Sequence, residues 1–256
     1  GTACMEMLQD EPELDVLVIP IGGGGLASGM SIVAKHLRPQ IEVVGVEVRQ
    51  YPAMYHAVRG EQARCGGAPL AEGIAVKNVS ERTVAICKDL VDNIRLVDEA
   101  SIEQAMAAYL TEMKTVAEGA GAAGLAAVLA DPGYFRGRKV GLILCGGNVD
   151  PRILASVIYR ELERDQRIVN LRIKIDDRPG TLGRIATLMG TLGANILEVS
   201  HHRMFLDTPA KAADLEIMIE TRDGRHAEEI VAAIEQQGFV IRVLDAPGGR
   251  ETVRPH

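Results

Sequence analysis

The chain has 256 residues, 47% of them hydrophobic but only 3% aromatic, and its 35 acidic residues outweigh 28 basic ones for a net charge of −7. That suits one large domain, or a medium and a small one, with a core of Ala, Val, Ile and Leu where aliphatic strands meet alanine-rich helices. The acidic balance argues against a nucleic-acid partner, since no basic surplus exists to displace counterions. No apolar run approaches the roughly 20 residues of a membrane helix.

Cys4, Cys65, Cys87 and Cys145 are scattered without a C-x-x-C pair, which speaks against a zinc site or a disulfide framework. With no basic leader ahead of an apolar stretch, the expected location is the cytoplasm. The chain opens on Gly1-Thr2-Ala3-Cys4, not on methionine, and runs straight into a helical pattern with Met5, Met7 and Leu8. It therefore reads as starting inside a larger, N-terminally truncated protein.

Residues 15–20 are a continuous apolar run, the mark of a strand buried on both faces. Gly22, Gly23, Gly24 and Gly25 follow, then a helix over 26–37 ended by Arg38-Pro39, and a second buried strand over 41–48. This is a βαβ unit with a parallel pair and a right-handed crossover. Residues 51–82 are irregular, broken by Gly66-Gly67 and Pro69, and short strands are predicted at 83–88 and 93–97. A helix is expected from Ser101, where Ser101-Ile102-Glu103-Gln104 could form a capping box, to about 117. Residues 119–130 predict a small-residue helix able to approach a sheet closely, and 139–145 another buried strand ending in Gly146-Gly147-Asn148. A charged helix over 151–164 suits a linker.

From Arg167 the pattern restarts. Residues 169–175 alternate apolar and polar with period two, so this strand is half exposed. Arg178-Pro179-Gly180 turns into a helix through Gly190; strands are predicted at 195–200, 213–221 and 239–244, with a helix over 226–237. The order βαββαβ is ferredoxin-like. His201 and His202 invite a metal reading, but consecutive strand residues point to opposite faces, and packing is the simpler role. The Gly/Arg/Pro-rich tail from 247 is expected to be disordered. The expected division is thus 1–164, 165–246 and a tail over 247–256.

Four consecutive glycines between a buried strand and a helix put bare amides at a helix N-terminus, where a phosphate is the expected guest. Its owner stays open on this motif alone. Gly22-x-Gly24-x-x-Ala27 also satisfies the dinucleotide fingerprint, with Glu47 at the end of the next strand as the acidic residue expected about 20 positions on.

Residues further along decide between owners. Val18-Ile-Pro-Ile-Gly-Gly-Gly-Gly-Leu26, Leu70-Ala-Glu-Gly-Ile74, Ala117-Glu-Gly-Ala-Gly-Ala122 and Leu144-Cys-Gly-Gly-Asn148 occur in this order, after Gly1-Thr2 and a helix carrying Glu6 and Leu8. Together they resemble the fold-type II pyridoxal-phosphate enzymes, in particular the threonine and serine dehydratases and their serine racemase relatives, over residues 1 to about 160. Residues 167–245 resemble the ACT domain of single-ACT threonine dehydratases, through Asp177-Arg-Pro-Gly-Thr-Leu182 and Gly193-Ala-Asn-Ile196.

The resemblance implies an α/β fold: a partial fold-type II domain of parallel or mixed sheet with flanking helices, followed by a ferredoxin-like ACT domain. It implies pyridoxal 5′-phosphate as cofactor, with Gly22, Gly23, Gly24, Gly25 and Leu26 on its phosphate. Cys145 would stand against the pyridine nitrogen and Asn148 would shape the loop beneath the cofactor. Glu118 and Glu72 correspond to acidic positions near the reacting groups. A neutral thiol at Cys145 cannot keep the ring protonated as a carboxylate would, which suits β-elimination.

The implied activity is that of a threonine ammonia-lyase, forming 2-oxobutanoate and ammonia from L-threonine, and possible use of L-serine comes with it. The implied setting is isoleucine biosynthesis, with allosteric regulation by an amino-acid effector at Gly193, Asn195 and Ile196 and assembly as a homo-oligomer.

Two departures from the family pattern stand out. Where some relatives bind a divalent cation through a Glu and residues four and six positions on, this chain has Glu47, Tyr51 and Ala53, so no metal of that type is expected. The family's Schiff-base lysine lies upstream of the glycine loop, and Lys35, Lys77 and Lys88 do not occupy its motif, so this stretch alone is expected to be inactive. The rival readings are a nicotinamide-dependent dehydrogenase, a serine dehydratase or racemase, and a non-catalytic amino-acid sensor.

Overall fold

The computed structural model describes residues 1–202 and 212–244; Arg203, Met204, Phe205 and the tail from 247 lie outside the described residues. The chain divides into two compact units, Gly1–Val157 and Ile158–His256.

The first unit runs α1 (Thr2–Asp10), β1 (Val16–Pro20), α2 (Gly25–Leu37), β2 (Glu42–Val48), α3 (Ala53–Ala57), a 3-10 turn (Glu72–Ile74), α4 (Glu81–Leu90), β3 (Asn93–Val97), α5 (Glu99–Thr111), α6 (Gly119–Ala130), α7 (Pro132–Phe135) and β4 (Val140–Leu142). Helix α8 (Pro151–Arg164) spans the division between the units. The four strands form one parallel sheet in the order β3-β2-β1-β4.

Both faces of this sheet are covered, which is why its strands read as unbroken apolar runs. Val16, Val18, Val44 and Val46 point to one side, onto the alanines of α6 and onto Ile102 and Met106 of α5. Leu17, Ile19, Ile21 and Val43 point to the other, onto Cys4 and Leu8 of α1, Met30 and Ala34 of α2, and Cys87 of α4. Gly45 lies in β2 because a Cβ there would strike the Ile21 side chain.

Three local expectations are corrected. Residues 83–88, predicted as a strand from Thr83, Val84 and Ile86, belong to α4, which Ser80 caps by accepting the Thr83 N–H at 3.2 Å. Helix α5 starts earlier than predicted and ends at Thr111. Asp98 is its cap, accepting the Ser101 N–H at 2.9 Å, so Ser101 donates to the cap instead of being it. The last parallel strand is three residues long, because the chain leaves the sheet at Ile143.

The second unit contains β5 (Ile168–Asp176), α9 (Thr181–Thr191), β6 (Asn195–His202), β7 (Ala212–Glu220), α10 (Gly224–Gln236) and β8 (Val240–Leu244). Its antiparallel sheet has the order β6-β7-β5-β8, so the βαββαβ expectation holds strand for strand. One sheet face, carrying Leu171, Ile173, Leu215 and Ile217, is buried under Ile185 and Met189 of α9 and Ile230 and Ile234 of α10. The other bears polar residues such as Arg172, whose guanidinium pairs with Glu216, giving the alternation seen in the sequence.

Candidate active site

In the parallel sheet the chain moves outward from β1 to β2 to β3 and then returns to the opposite flank of β1 as β4. The crevice beyond the carboxyl ends of β1 and β4 is therefore the point where strand order reverses, the place open α/β sheets offer to ligands. The glycine loop leaves β1 there, and Cys145 follows β4.

The loop is closed beneath and open above. A Cβ on Gly22 would lie 3.2 Å from the Ile74 Cα, and one on Gly24 would lie 2.5 Å from the Met54 Cε and 2.9 Å from the Thr83 Cβ. Gly24 also has φ +86°, the left-handed region that favours glycine. Around Gly23 and Gly25 a Cβ would meet nothing within 4 Å. Gly24 caps α2 with no side-chain bond, so the first-turn amides keep their donors for an incoming acceptor. Such a cradle offers backbone amides and a helix dipole to an anion.

Three further loops close on the same place. Glu118, the N-terminal cap of α6, donates its N–H to the Gly146 carbonyl at 3.0 Å, and its side chain lies against Gly146 so closely that a Cβ there would strike the carboxylate. A Cβ on Gly73 would lie 3.0 Å from the Ala120 Cβ and 3.6 Å from the Glu118 Oε1. Gly119 rests on the Leu70 carbonyl and Gly121 on that of Gly146, each so near that a Cβ would approach to 2.6 Å.

The segments 70–74, 117–122 and 144–148 thus meet beside the glycine loop. Cys145 is exposed, and its crowded surroundings, with the Glu118 carboxylate adding to them, push its thiol up. Leu26 in the first turn of α2, Glu72 in the 3-10 turn and Asn148 in the loop after β4 are all exposed.

Glu47 is not where a ribose ligand would be. It is 1% exposed and faces inward, accepting the Met54 N–H at 2.8 Å and the Tyr55 N–H at 2.7 Å. Burial raises its pKa to about 7, against the lowering effect of the two amide bonds and of His56. Tyr51 and Ala53, the other two positions of the cation pattern, are buried, and Tyr51 donates its hydroxyl to the Gly67 carbonyl at 2.8 Å.

Lys35 lies near the opposite end of α2 from the loop, its Nζ on the Ile41 carbonyl and Asp92. Lys77 and Lys88 are exposed. Sequence reasoning missed Thr83 and Met54, which line the underside of the loop. The cap signal at Ser80, followed by apolar residues at 84, 87 and 91 in helical spacing, could have revealed α4.

In the second unit, Gly193 turns at φ +88° between α9 and β6, and the exposed Asn195 side chain donates to Glu220 at 3.3 Å. Ile196 is half-buried against the core of this unit. His226, missed in the sequence, is 2% exposed and braces the same turn: Nε2 donates to the Leu192 carbonyl at 2.9 Å while Nδ1 accepts the Arg222 N–H at 3.1 Å. His201 and His202 point to different partners, Asp177 at 3.9 Å and Glu216 at 3.8 Å. A surface groove of about 510 Å³ lined by Arg184, Thr187, Leu188 and Phe239 includes none of the three predicted effector residues.

Comparison with known proteins gives two family matches: "Pyridoxal-phosphate dependent enzyme" over residues 1–146 and "ACT domain" over residues 169–239. The chain is 38% identical over 246 residues to an L-threonine ammonia-lyase of Thermotoga maritima, covering 95% of this chain and 61% of that protein. It is 34% identical to an L-threonine ammonia-lyase of Geobacter sulfurreducens, again covering 95% and 61%. Among solved structures, the processed form of threonine deaminase isoform 2 from Solanum lycopersicum is similar with a TM-score of 0.58 and 27% identity, over 62% of this chain and 47% of that one. The chain thus spans 61% of the length of the two ammonia-lyases. With a family match across more than half of its residues, and with its ordered motifs gathered at one crevice of the expected sheet, the chain belongs to the pyridoxal-phosphate-dependent enzymes and carries an ACT domain behind that part.

Proposed function

We propose that this chain is part of a cytoplasmic threonine ammonia-lyase, forming 2-oxobutanoate and ammonia from L-threonine, with an ACT unit that binds an amino-acid effector. The observation that carries the reading is the meeting of four separate sequence segments at the crevice beyond β1 and β4. The division into a catalytic part over 1–164, an ACT part over 165–246 and a tail over 247–256 belongs to the same proposal. So do oligomeric assembly, isoleucine biosynthesis as the setting and L-serine as a second substrate.

Gly22, Gly23, Gly24 and Gly25, with the following Leu26 amide, would hold the cofactor phosphate. Bound there, pyridoxal phosphate supplies the electron sink that lets the α-proton and then the β-hydroxyl depart. Cys145 offers the ring nitrogen a thiol whose raised pKa keeps it neutral at pH 7, so it brings no negative charge to hold a proton there. Glu118, whose Oε1 would come within 3.6 Å of a Cβ on Gly73, would assist departure of the hydroxyl. Glu72 stands exposed on the neighbouring turn as a second, solvated carboxylate. Gly193, Asn195 and Ile196 would receive the effector, with backbone groups for its carboxylate and ammonium.

The dehydrogenase reading loses its ribose ligand, because both oxygens of Glu47 are engaged inside the fold.

The experiment is release of 2-oxobutanoate from L-threonine with added pyridoxal phosphate, in the protein that contains this chain and with residues 1–256 alone. The expectation is turnover in the former and none above free cofactor in the latter. Borohydride reduction with peptide mapping accompanies it. A specific adduct on Lys35, Lys77 or Lys88 overturns the assignment of the linking lysine outside this stretch.

A further inference from the structure

We infer that Thr83 is a positioning residue for the phosphate cradle, its hydroxyl turning the Gly23–Gly24 peptide so that the Gly24 amide faces the anion. The inference rests on the phosphate-loop reading above and deepens it.

Thr83 lies in the first turn of α4, distant in sequence from the loop, yet its Oγ1 is 2.9 Å from the Gly23 carbonyl oxygen. Its single proton has three acceptors within reach: the Gly23 carbonyl, the Ser80 carbonyl and the Ser80 hydroxyl oxygen. The Ser80 Oγ is 3.1 Å from Thr83 Oγ1 and accepts the Thr83 N–H at 3.2 Å, which leaves the Ser80 hydroxyl proton free to be given to Thr83. The Ser80 carbonyl lies at 3.0 Å, slightly farther than that of Gly23. In the proposed arrangement Ser80 donates to Thr83 and Thr83 donates to the Gly23 carbonyl.

No cis peptide occurs among the described residues, so the Gly24 N–H points opposite to the Gly23 carbonyl. With the carbonyl drawn down onto α4, that N–H is turned away from α4, toward the side on which Gly23 and Gly25 meet no neighbour. Thr83 also fills the space beneath Gly24, where a Cβ would come within 2.9 Å of its own Cβ. A glycine-rich loop has many backbone states open to it, and this side chain selects the one with its donor outward.

The test uses Thr83→Val, which keeps the shape and removes the hydroxyl, and Thr83→Ser, which keeps the hydroxyl. Binding of inorganic phosphate and of pyridoxal phosphate is titrated by ³¹P and amide NMR in the whole chain, with the Gly24 amide as reporter and circular dichroism as the folding control. Loss of one hydrogen bond of ordinary strength predicts weaker phosphate binding by about 3- to 10-fold in Thr83→Val and near-parental binding in Thr83→Ser. Binding of pyridoxal, which has no phosphate, should not separate the two variants. If Thr83→Val does not fold, Thr83→Ala against Thr83→Ser isolates the same hydroxyl.

Equal phosphate affinity with and without the hydroxyl overturns the role of Thr83 and leaves the cradle standing. A parent chain that binds no phosphate overturns the cradle and this proposal together.

Discussion

Replacing Glu47 by Gln tests the charge balance beneath the site. The carboxyl group is buried, and its pKa rises from 4.5 to about 7 because burial outweighs the two amide bonds and the nearby His56. Below pH 4.5 the group is protonated whether the chain is folded or not, and its contribution to stability is fully present. As pH rises, the unfolded carboxyl ionises first, so folding must take up a proton. Stability is then lost at up to ~1.4 kcal/mol per pH unit until the folded pKa is passed. Over the interval between the two values the loss comes to ~3 kcal/mol.

Gln cannot ionise and has no such slope. Its one oxygen serves one of the two amides, and its NH₂ faces the other, a mismatch costing about 1–3 kcal/mol at every pH. Glu47→Gln is therefore less stable than the parent near pH 5 and equal or more stable near pH 8. Hydrogen exchange of the β1 and β2 amides, compared between the two proteins at each pH, reads the difference for this unit alone. A stability difference constant within about 0.5 kcal/mol from pH 4.5 to 8 would refute the reasoning.

Gly24→Ala should destabilise the first unit by about 1–3 kcal/mol, since it demands a left-handed alanine whose Cβ meets Met54 and Thr83, and it should weaken phosphate binding; thermal melts check it, and unchanged stability contradicts the packing. In the active protein Cys145→Ser should keep most threonine turnover while Cys145→Asp slows it by holding a proton on the ring nitrogen; steady-state kinetics showing equal losses would reduce Cys145 to packing. Asn195→Ala should abolish effector binding measured by calorimetry with branched-chain amino acids, and that binding should accompany dimers or higher oligomers; indifference to the substitution refutes the assigned site.

Period and punctuation carried most of the fold. The antiparallel second unit was readable because alternation such as Val169, Leu171, Ile173 and Ile175 marks one buried face without ambiguity. The buried parallel strands were readable from unbroken aliphatic runs, and the small-residue helix from its composition. Residues 83–88 were misread because β-branched Thr83, Val84 and Ile86 satisfy strand propensity locally, while packing of Cys87 and Val84 on the core decided for a helix. The ends of α5 shifted because two neighbouring residues, Asp98 and Ser101, both carry cap chemistry and only geometry assigns acceptor and donor. Glu47 shows the deeper difficulty. At the end of a strand a carboxylate satisfies a ribose pattern, a cation pattern or a helix cap equally well in sequence, and only its direction separates them.

The site was legible for a different reason: it is built from the absence of side chains. Gly73, Gly119, Gly121 and Gly146 let three loops stack at distances no Cβ would allow, and Gly22 and Gly24 lie close on Ile74, Met54 and Thr83. Close backbone approach admits no side chain at these positions, so the glycines stand in the sequence as ordered, spaced signals. The same construction accommodates the proposed phosphate site in a chain of net charge −7. On that proposal the donors would be peptide amides at the start of α2, so no surplus of Lys or Arg is required. The residues beneath the loop, Thr83 and Met54 above all, bear no charge and fit no motif, and their place against Gly23 and Gly24 is visible from the fold alone.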